Sequence, residues 1–272
     1  MTEGALTGLR ILDASQGVAG PFAARLLGDL GAHVIKIEPP EGDSARRMHP
    51  AQTSDPDPTS FFAYLNWNKR GIVTDLASQD GRTRFAQLAA TADVLIESGE
   101  PGQLATLGLG YDELARTNPG LVLVSVTPYG QDGPRDRWQH TEATDWATSG
   151  YQYFAGDPQR EPLMLPGAQA EFHTAQAVAL AALAALHERD RSGRGQPIDI
   201  SIQEASLTTH AWNAVSWTHA GHVLRRLGSD VFRCADGWVF WMRRGQETNL
   251  FALIERPDLF DDPRLEEMEI WR

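Results

Sequence analysis

The feature that most restricts this chain is an alternation in its first forty residues. A short apolar run, Leu9 to Leu12, is followed by a loop of small residues, an apolar helical stretch and a second apolar run, His33 to Glu38. Strand, glycine-containing loop, helix and strand within about thirty residues is a βαβ unit, which forces its two strands to be parallel. Pro21 suits the first turn of a helix over Phe22 to Leu30, Gly31 ends that helix, and Pro39-Pro40 ends the second strand. The alternation continues. Strands are predicted at Ile72 to Leu76, Asp93 to Glu97 and Leu121 to Val126, with helices at Gly81 to Ala92 and Tyr111 to Thr117. The predicted fold is therefore α/β: an open, Rossmann-like, mostly parallel sheet flanked by helices, with ligand loops at the carboxyl ends of its strands.

The pattern changes beyond Gly130. A short helix is predicted at Glu142 to Thr148, and a proline- and glycine-punctuated loop at Tyr151 to Gly167. Phe172 to Asp190 reads as a long helix built on alanine, the strongest helix former, and alanine on every side of it predicts burial between layers. Ile198 to Ile202 alternates as a strand, and Glu204 to Thr218 reads as one helix. Val231 to Cys234 and Trp238 to Met242 flank Ala235-Asp236-Gly237, a hairpin signal that opens a smaller α+β piece. The expected domains are residues 1–224, the large α/β domain, and 225–272, part of a small one.

Composition narrows the function. The net charge of -12 works against sequence-independent binding to nucleic acid, which depends on cations neutralising phosphates. The longest apolar run, Ala177 to Leu186, is too short to span a bilayer, so no membrane association is expected. One cysteine, Cys234, and an N-terminus without a basic and then apolar region point to a cytoplasmic setting. Only two of the 24 basic residues are lysines, Lys36 and Lys69.

Several motifs are excluded by spacing. Gly17-Val18-Ala19-Gly20 lacks the G-x-G-x-x-G that admits a dinucleotide pyrophosphate, although Glu38 stands where a ribose-binding acid would. His219 and His222 have no third ligand nearby, so no metal site is expected. Glu171 remains, at the start of the alanine-rich helix and beside His173 and Thr174. There its carboxylate faces unsatisfied backbone N–H groups and the positive end of the helix dipole, which favour the ionised form. An acid in a first helical turn is also ordinary helix chemistry, and the pattern by itself leaves both readings open.

The sequence resembles the class III CoA-transferases, the group that includes formyl-CoA transferase, carnitine CoA-transferase and α-methylacyl-CoA racemase. The matching stretches are Gly8 to Asp13, Ala19-Gly20-Pro21, Leu27 to Pro39, Gly42-Asp43 with Arg46, Asn68-Lys69-Arg70, Ala92 to Glu97, Pro101-Gly102, Leu107 to Tyr111, Gly130 to Pro134 and Gly193 to Gln196. They occur in order over almost the whole chain.

The resemblance implies acyl-CoA chemistry with no tightly bound cofactor. CoA moves from an acyl-CoA to a carboxylic acid through a covalent anhydride and an enzyme-CoA thioester on an active-site aspartate, whose place Glu171 occupies here. It also implies CoA contacts at Val18 and Ala19, at Thr74, Asp75 and Leu76, and at Ser98 and Gly99, with Arg46, Lys69 and Arg70 as cations for its phosphates. His140 and Thr141 are further cofactor contacts that it implies; Thr141 falls where the racemases carry a histidine, which disfavours racemisation by that pair, while neighbouring His140 and His173 keep a racemase-like alternative open. A non-catalytic acyl-CoA-binding subunit is the other alternative. Departures from the family pattern include Pro39 and Thr106 at positions where arginines meet CoA phosphates, Ser98-Gly99 in place of Asn-Phe, and Leu227-Gly228-Ser229-Asp230 in place of a glycine-rich flap. Members of the family continue past the small domain and interlock as dimers. The resemblance therefore implies a homodimer, or a heteromer with a chain that supplies the missing C-terminal region.

Overall fold

The computed structural model describes residues 4–48, 60–157, 159–224, 231–240 and 255–258. The chain divides into two compact units, residues 1–155 with 163–224, and residues 156–162 with 225–272.

In the first unit, six strands form one parallel sheet: β1 (Arg10–Ala14), β2 (His33–Glu38), β3 (Lys69–Val73), β4 (Val94–Glu97), β5 (Val122–Thr127) and β6 (Pro197–Ser201). Their spatial order is β3-β2-β1-β4-β5-β6, so the winding reverses between β1 and β4. The helices are α1 (Ala19–Asp29), α2 (Ser60–Leu65), α3 (Gln79–Ala89), α4 (Gln103–Thr106), α5 (Tyr111–Thr117), α6 (Glu142–Thr148), α7 (Gln169–Ser192), α8 (Ile202–Leu207) and α9 (Ala211–Val215).

Strand alternation sorts the core into two layers. Ile11, Val34, Val94, Ile96, Val122 and Val124 face α1 and α7. Leu12, Ile37, Leu95 and Leu123 point the other way, against Phe85 and Ala89 of α3 and Leu114 of α5. Alanines make the first layer thin. Ala23, Ala24, Ala175, Ala179 and Ala182 let α1 and α7 approach each other and the sheet closely.

Three expectations change. The third strand lies at Lys69–Val73, because it pairs with β2 from Val34↔Lys69 to Glu38↔Val73. Thr74 to Leu76 consequently form the loop at its carboxyl end, where the Thr74 N–H donates to the Glu38 carbonyl at 2.8 Å. Second, α7 is buried along one stripe only, through Ala170, Thr174, Val178, Ala182 and Leu186, while Leu180 on the other side is 69% exposed. Third, the stretch from Glu204 to Thr218 is broken. Thr208 and Thr209 turn their hydroxyls back onto the Ala205 and Ser206 carbonyls, each at 2.7 Å, and a 3-10 turn at Thr208–His210 separates α8 from α9. A π turn, Ser216–Ala220, follows α9.

In the second unit the described residues include the expected hairpin, β7 (Val231–Arg233) and β8 (Trp238–Phe240), antiparallel from Val231↔Phe240 to Arg233↔Trp238. Met242 and the segment Leu227 to Asp230 lie outside the described residues.

Both lysines are buried at the carboxyl ends of β1 and β2. The Lys69 ammonium donates to Asp13 Oδ2, the Pro21 carbonyl and Asn66 Oδ1, each at 2.7 Å. The Lys36 ammonium pairs with Asp43 Oδ2 at 2.7 Å and with Asp13 Oδ2 at 3.7 Å, and it donates to the Ser15 carbonyl. Burial acts to raise the Asp13 pKa, but the Lys36 and Lys69 charges outweigh it and hold the carboxyl below the usual aspartate range. Burial holds Lys69 below the ordinary lysine range, against the pull of Asp13.

Removing one member of such a cluster leaves a buried charge unpaired. Lys36→Met is expected to cost about 3–5 kcal/mol, read from the urea midpoint. The Asp13 carboxylate contributes its full stability above the ordinary aspartate value of 3.8 and loses it as pH falls through its lower folded value. Acid unfolding of the native chain should therefore begin below that pH, whereas an Asp13→Asn chain should be weakened already at neutral pH.

Candidate functional site

The reversal of winding between β1 and β4 opens a crevice outside the carboxyl ends of the strands, the usual ligand position in an open α/β sheet. The loops after β1 and β4 are tied across it by the Gln16 N–H, which donates to Ser98 Oγ at 2.9 Å. The crevice encloses about 280 Å³, and Thr74, Asp75, Leu76, Ser98 and Gly99 all line it. These five expected contacts come together although they arise from the ends of two different strands. Val18 and Ala19 do not line it.

Val18 and Ala19 serve Glu171 instead. Their N–H groups, at the start of α1, donate to Glu171 Oε2 at 3.0 and 3.1 Å, across 153 and 152 residues of sequence. The loop that presents them needs its glycines. Gly17 has φ +77 and gives its N–H to Asp43 Oδ1 at 3.0 Å, while a Cβ on Gly20 would overlap the Ser15 side chain. Lys36 grips Asp43 and the Ser15 carbonyl, so the buried charge cluster sets this loop. From the other side, Phe172 packs edge-on against Phe22 of α1, with ring centres 4.9 Å apart.

Two expectations for Glu171 are corrected. Its N–H partners come from the N-terminus of α1 and not from its own helix, whose Ala170 N–H is given to Glu142 Oε1 at 2.8 Å. Its charge state differs as well. Burial raises the Glu171 pKa above the ordinary glutamate range, against the lowering effect of the Ala19 and Val18 N–H groups and of His140.

The N-termini of α6 and α7 bring further titratable groups to Glu171. His140 Nδ1 lies 3.2 Å from Oδ2 of the buried Asp145, and that hydrogen bond raises the His140 pKa, with Glu171 adding to the effect. Glu142 also accepts from Trp146 Nε1 at 2.7 Å, and burial raises its pKa. Thr141 is the cap of α6: Thr144 Oγ1 accepts its N–H at 2.7 Å, and its own hydroxyl accepts the Thr144 N–H at 3.3 Å. His173 turns to Thr208, with Nε2 and Oγ1 2.9 Å apart. Glu142, Asp145, Asp43 and Gln16 were not singled out from the sequence. Each acts through residues distant in sequence or through a local helix start that looks ordinary.

The expected phosphate cations do not meet at the crevice. Lys69 gives its protons to three acceptors, and its side chain is 2% exposed, so it is unable to reach a phosphate. Arg46 clamps Glu38 in a bidentate pair at 2.7 and 2.8 Å and lies over the Phe62 ring. Arg70 is exposed on the edge strand β3 and is not among the residues lining the crevice. Among the described residues, no group of three or more His, Cys, Asp or Glu side chains is placed to hold a metal ion, and no helix is long and apolar enough to cross a membrane.

Fold and crevice together define an open α/β protein with a crevice at the reversal of strand order and a carboxylate, Glu171, held on the N-terminus of α1. The family follows from comparison: CoA-transferase family III matches residues 6–272, and the chain belongs to that family. It is 36% identical over 237 residues to the succinyl-CoA:(R)-benzylsuccinate CoA-transferase subunit BbsE of Thauera aromatica, covering 85% of this chain and 58% of that one. It is 34% identical over 272 residues to the succinyl-CoA--D-citramalate CoA-transferase of Chloroflexus aurantiacus, covering 95% and 67%. A CAIB/BAIF family protein from Brucella suis has the same fold, with a TM-score of 0.84 at 30% identity over 97% of this chain and 73% of that one. The chain thus spans between about half and three quarters of the length of the relatives it matches.

Because ionising Glu171 is penalised by its surroundings, Glu171→Gln keeps an acceptor for the two N–H groups and drops the buried charge. The variant should melt at a higher temperature than the native chain at about pH 8, with the difference closing as pH falls below the ordinary glutamate value of 4.5. Thermal unfolding across that range checks it.

Proposed function

We propose that this protein transfers CoA between an acyl-CoA and a carboxylic acid, with Glu171 as the covalent relay. The observation that carries this reading is the pairing of Glu171 Oε2 with the Val18 and Ala19 N–H groups. With Oε2 held there, Oε1 is the attacking atom. It adds to the donor thioester carbonyl, the C–S bond breaks, and CoA leaves as a thiolate, giving an acyl-glutamyl anhydride. The thiolate attacks the glutamyl carbonyl of that anhydride, releasing the donor acid and leaving a glutamyl-CoA thioester. The acceptor carboxylate then displaces the thiolate to form a second anhydride, and the thiolate attacks the acceptor carbonyl to regenerate Glu171. No water or outside reductant is consumed, and each half-reaction replaces one difficult exchange by two acyl transfers.

The relatives support the reading, since their names specify CoA transfer from succinyl-CoA to D-citramalate and to (R)-benzylsuccinate. Several are named as subunits, which fits a chain working in a homodimer or beside a second chain. The setting we assign is the cytoplasm. A second reading is favoured by the His140–Asp145 pair: a histidine held by a buried carboxylate, in electrostatic contact with Glu171, is suited to exchanging the proton alpha to a thioester as in a racemase. The third reading, an acyl-CoA-binding subunit without chemistry of its own, predicts binding and no adduct.

Incubation with succinyl-CoA followed by hydroxylamine should place a hydroxamate on the peptide containing Glu171, and Glu171→Gln should lower transfer by roughly 10³-fold or more. Transfer that survives Glu171→Gln overturns the assignment. Loss of an alpha deuteron in heavy water without transfer establishes the racemase-like reading instead.

A further inference from the structure

Two helix starts crowd acids around Glu171. Glu142 accepts the Ala170 N–H on Oε1 at 2.8 Å, which ties the first turn of α6 to the residue beside Glu171. Asp145, further along α6, is 1% exposed, and among the described residues nothing hydrogen-bonds its Oδ1. Its Oδ2 faces His140 Nδ1 at 3.2 Å. A carboxylate enclosed in this way is tolerable beside a cation. The bond to Asp145 keeps the imidazole protonated to a higher pH than an ordinary histidine, and Glu171 and Glu100 add to the effect.

The ring is also placed to meet a substrate. Asp145 takes the Nδ1 proton, so the charged imidazole has a second N–H, on Nε2, to give. Its side chain is 38% exposed, whereas Asp145 behind it is enclosed. His140 and Glu171 act on each other: the imidazolium favours the ionised Glu171, and Glu171 favours the protonated imidazole.

Charge conservation links this pair to the relay. In the free protein the anion beside His140 is Glu171. Once Glu171 carries CoA its charge is gone, and the anion that then approaches is the substrate acid, arriving among the carboxyl groups of Glu142 and Asp145. We propose that the His140 imidazolium, held by Asp145, is the counter-ion that Glu171 and the substrate carboxylate share in turn, which makes His140 a substrate-positioning residue. The inference rests on the reading of Glu171 as the relay and gives His140 a role apart from proton exchange. No proton moves in the step. Nε2–H donates to one oxygen of the acid, the other oxygen attacks the glutamyl-CoA carbonyl, and the C–S bond breaks to release the thiolate.

The test follows exchange of isotopically labelled succinate into succinyl-CoA by the purified full chain from about pH 5.5 to 9, a range that spans histidine titration. Native exchange should fall as pH rises through the His140 value, which lies above the ordinary 6.5. His140→Gln should exchange roughly 10- to 100-fold more slowly below that value, the worth of a hydrogen bond to a charged group, and the gap should close above it. Asp145→Asn removes the carboxylate behind the ring and should move the alkaline limb down toward 6.5. A second measurement does not depend on that variant folding: in Glu171→Gln, added succinate should raise the His140 pKa read by nuclear magnetic resonance. A loss in His140→Gln that is equal at every pH, full exchange by that variant, or a His140 titration unmoved by succinate overturns the inference and leaves the transferase reading intact. Exchange that is absent from the native chain, or that survives Glu171→Gln, overturns the relay reading itself, and this inference with it.

Discussion

The structure depends on two lysines that never reach solvent. Lys36 and Lys69 are placed by adjacent parallel strands against Asp13 and Asp43, so two cations and two anions share one buried volume. A charge in such a place is tolerable only when its partners are fixed, and here every partner is part of a connection. Asp13 ends β1, Asp43 caps the turn that begins at Ser44, Pro21 lies in α1, and Asn66 follows α2. The cluster therefore pins four separate segments at the carboxyl edge of the sheet. The loop carrying Val18 and Ala19 emerges from that edge with little freedom left.

On this base the site is assembled from two helix starts. The first turn of α1 supplies two donors, and the first turn of α7 supplies the carboxylate that receives them. The N-terminus of α7 is satisfied by Glu142, so its field is already engaged by an acid other than Glu171. This division of labour explains why Glu171 is both hydrogen-bonded and held above the ordinary glutamate range: two N–H groups and a nearby histidine offset only part of the cost of burial. A carboxyl kept reluctant to ionise is also more basic once it does, which suits the relay role proposed for Glu171.

Much of the fold was legible because alternation and periodicity are local. Strands β1, β2, β4 and β5 and helices α1, α3, α5 and α7 follow from apolar spacing and from Gly31 or Gly193 at helix ends. The misses have local causes too. The third strand starts three residues before its apolar run, because its buried lysine reads as polar and only pairing to β2 reveals it as strand. Helices α2 and α4 are too short to show a period. The break between α8 and α9 comes from threonine hydroxyls that compete for carbonyls, an effect residue type suggests but spacing does not. At the site, the gathering of Thr74, Asp75, Leu76, Ser98 and Gly99 around one crevice was legible through resemblance, since loops at strand ends keep their place in the fold. The partners of Glu171 were not, because no pattern in a single sequence links residue 171 to residues 18 and 19. The enclosure of Lys69 is hidden for the same reason: whether a lysine is free or enclosed is decided by chain segments far from it.

The alanine seam between α1 and α7 has a further meaning. Because the donors ride on one helix and the carboxylate on the other, the spacing of two backbones becomes a chemical variable, and methyl groups act as its gauge. A bulkier residue at Ala23 or Ala179 would wedge the helices apart, lengthening the bonds to Glu171 without touching it. The geometry around Glu171 thereby depends on positions that carry no functional groups.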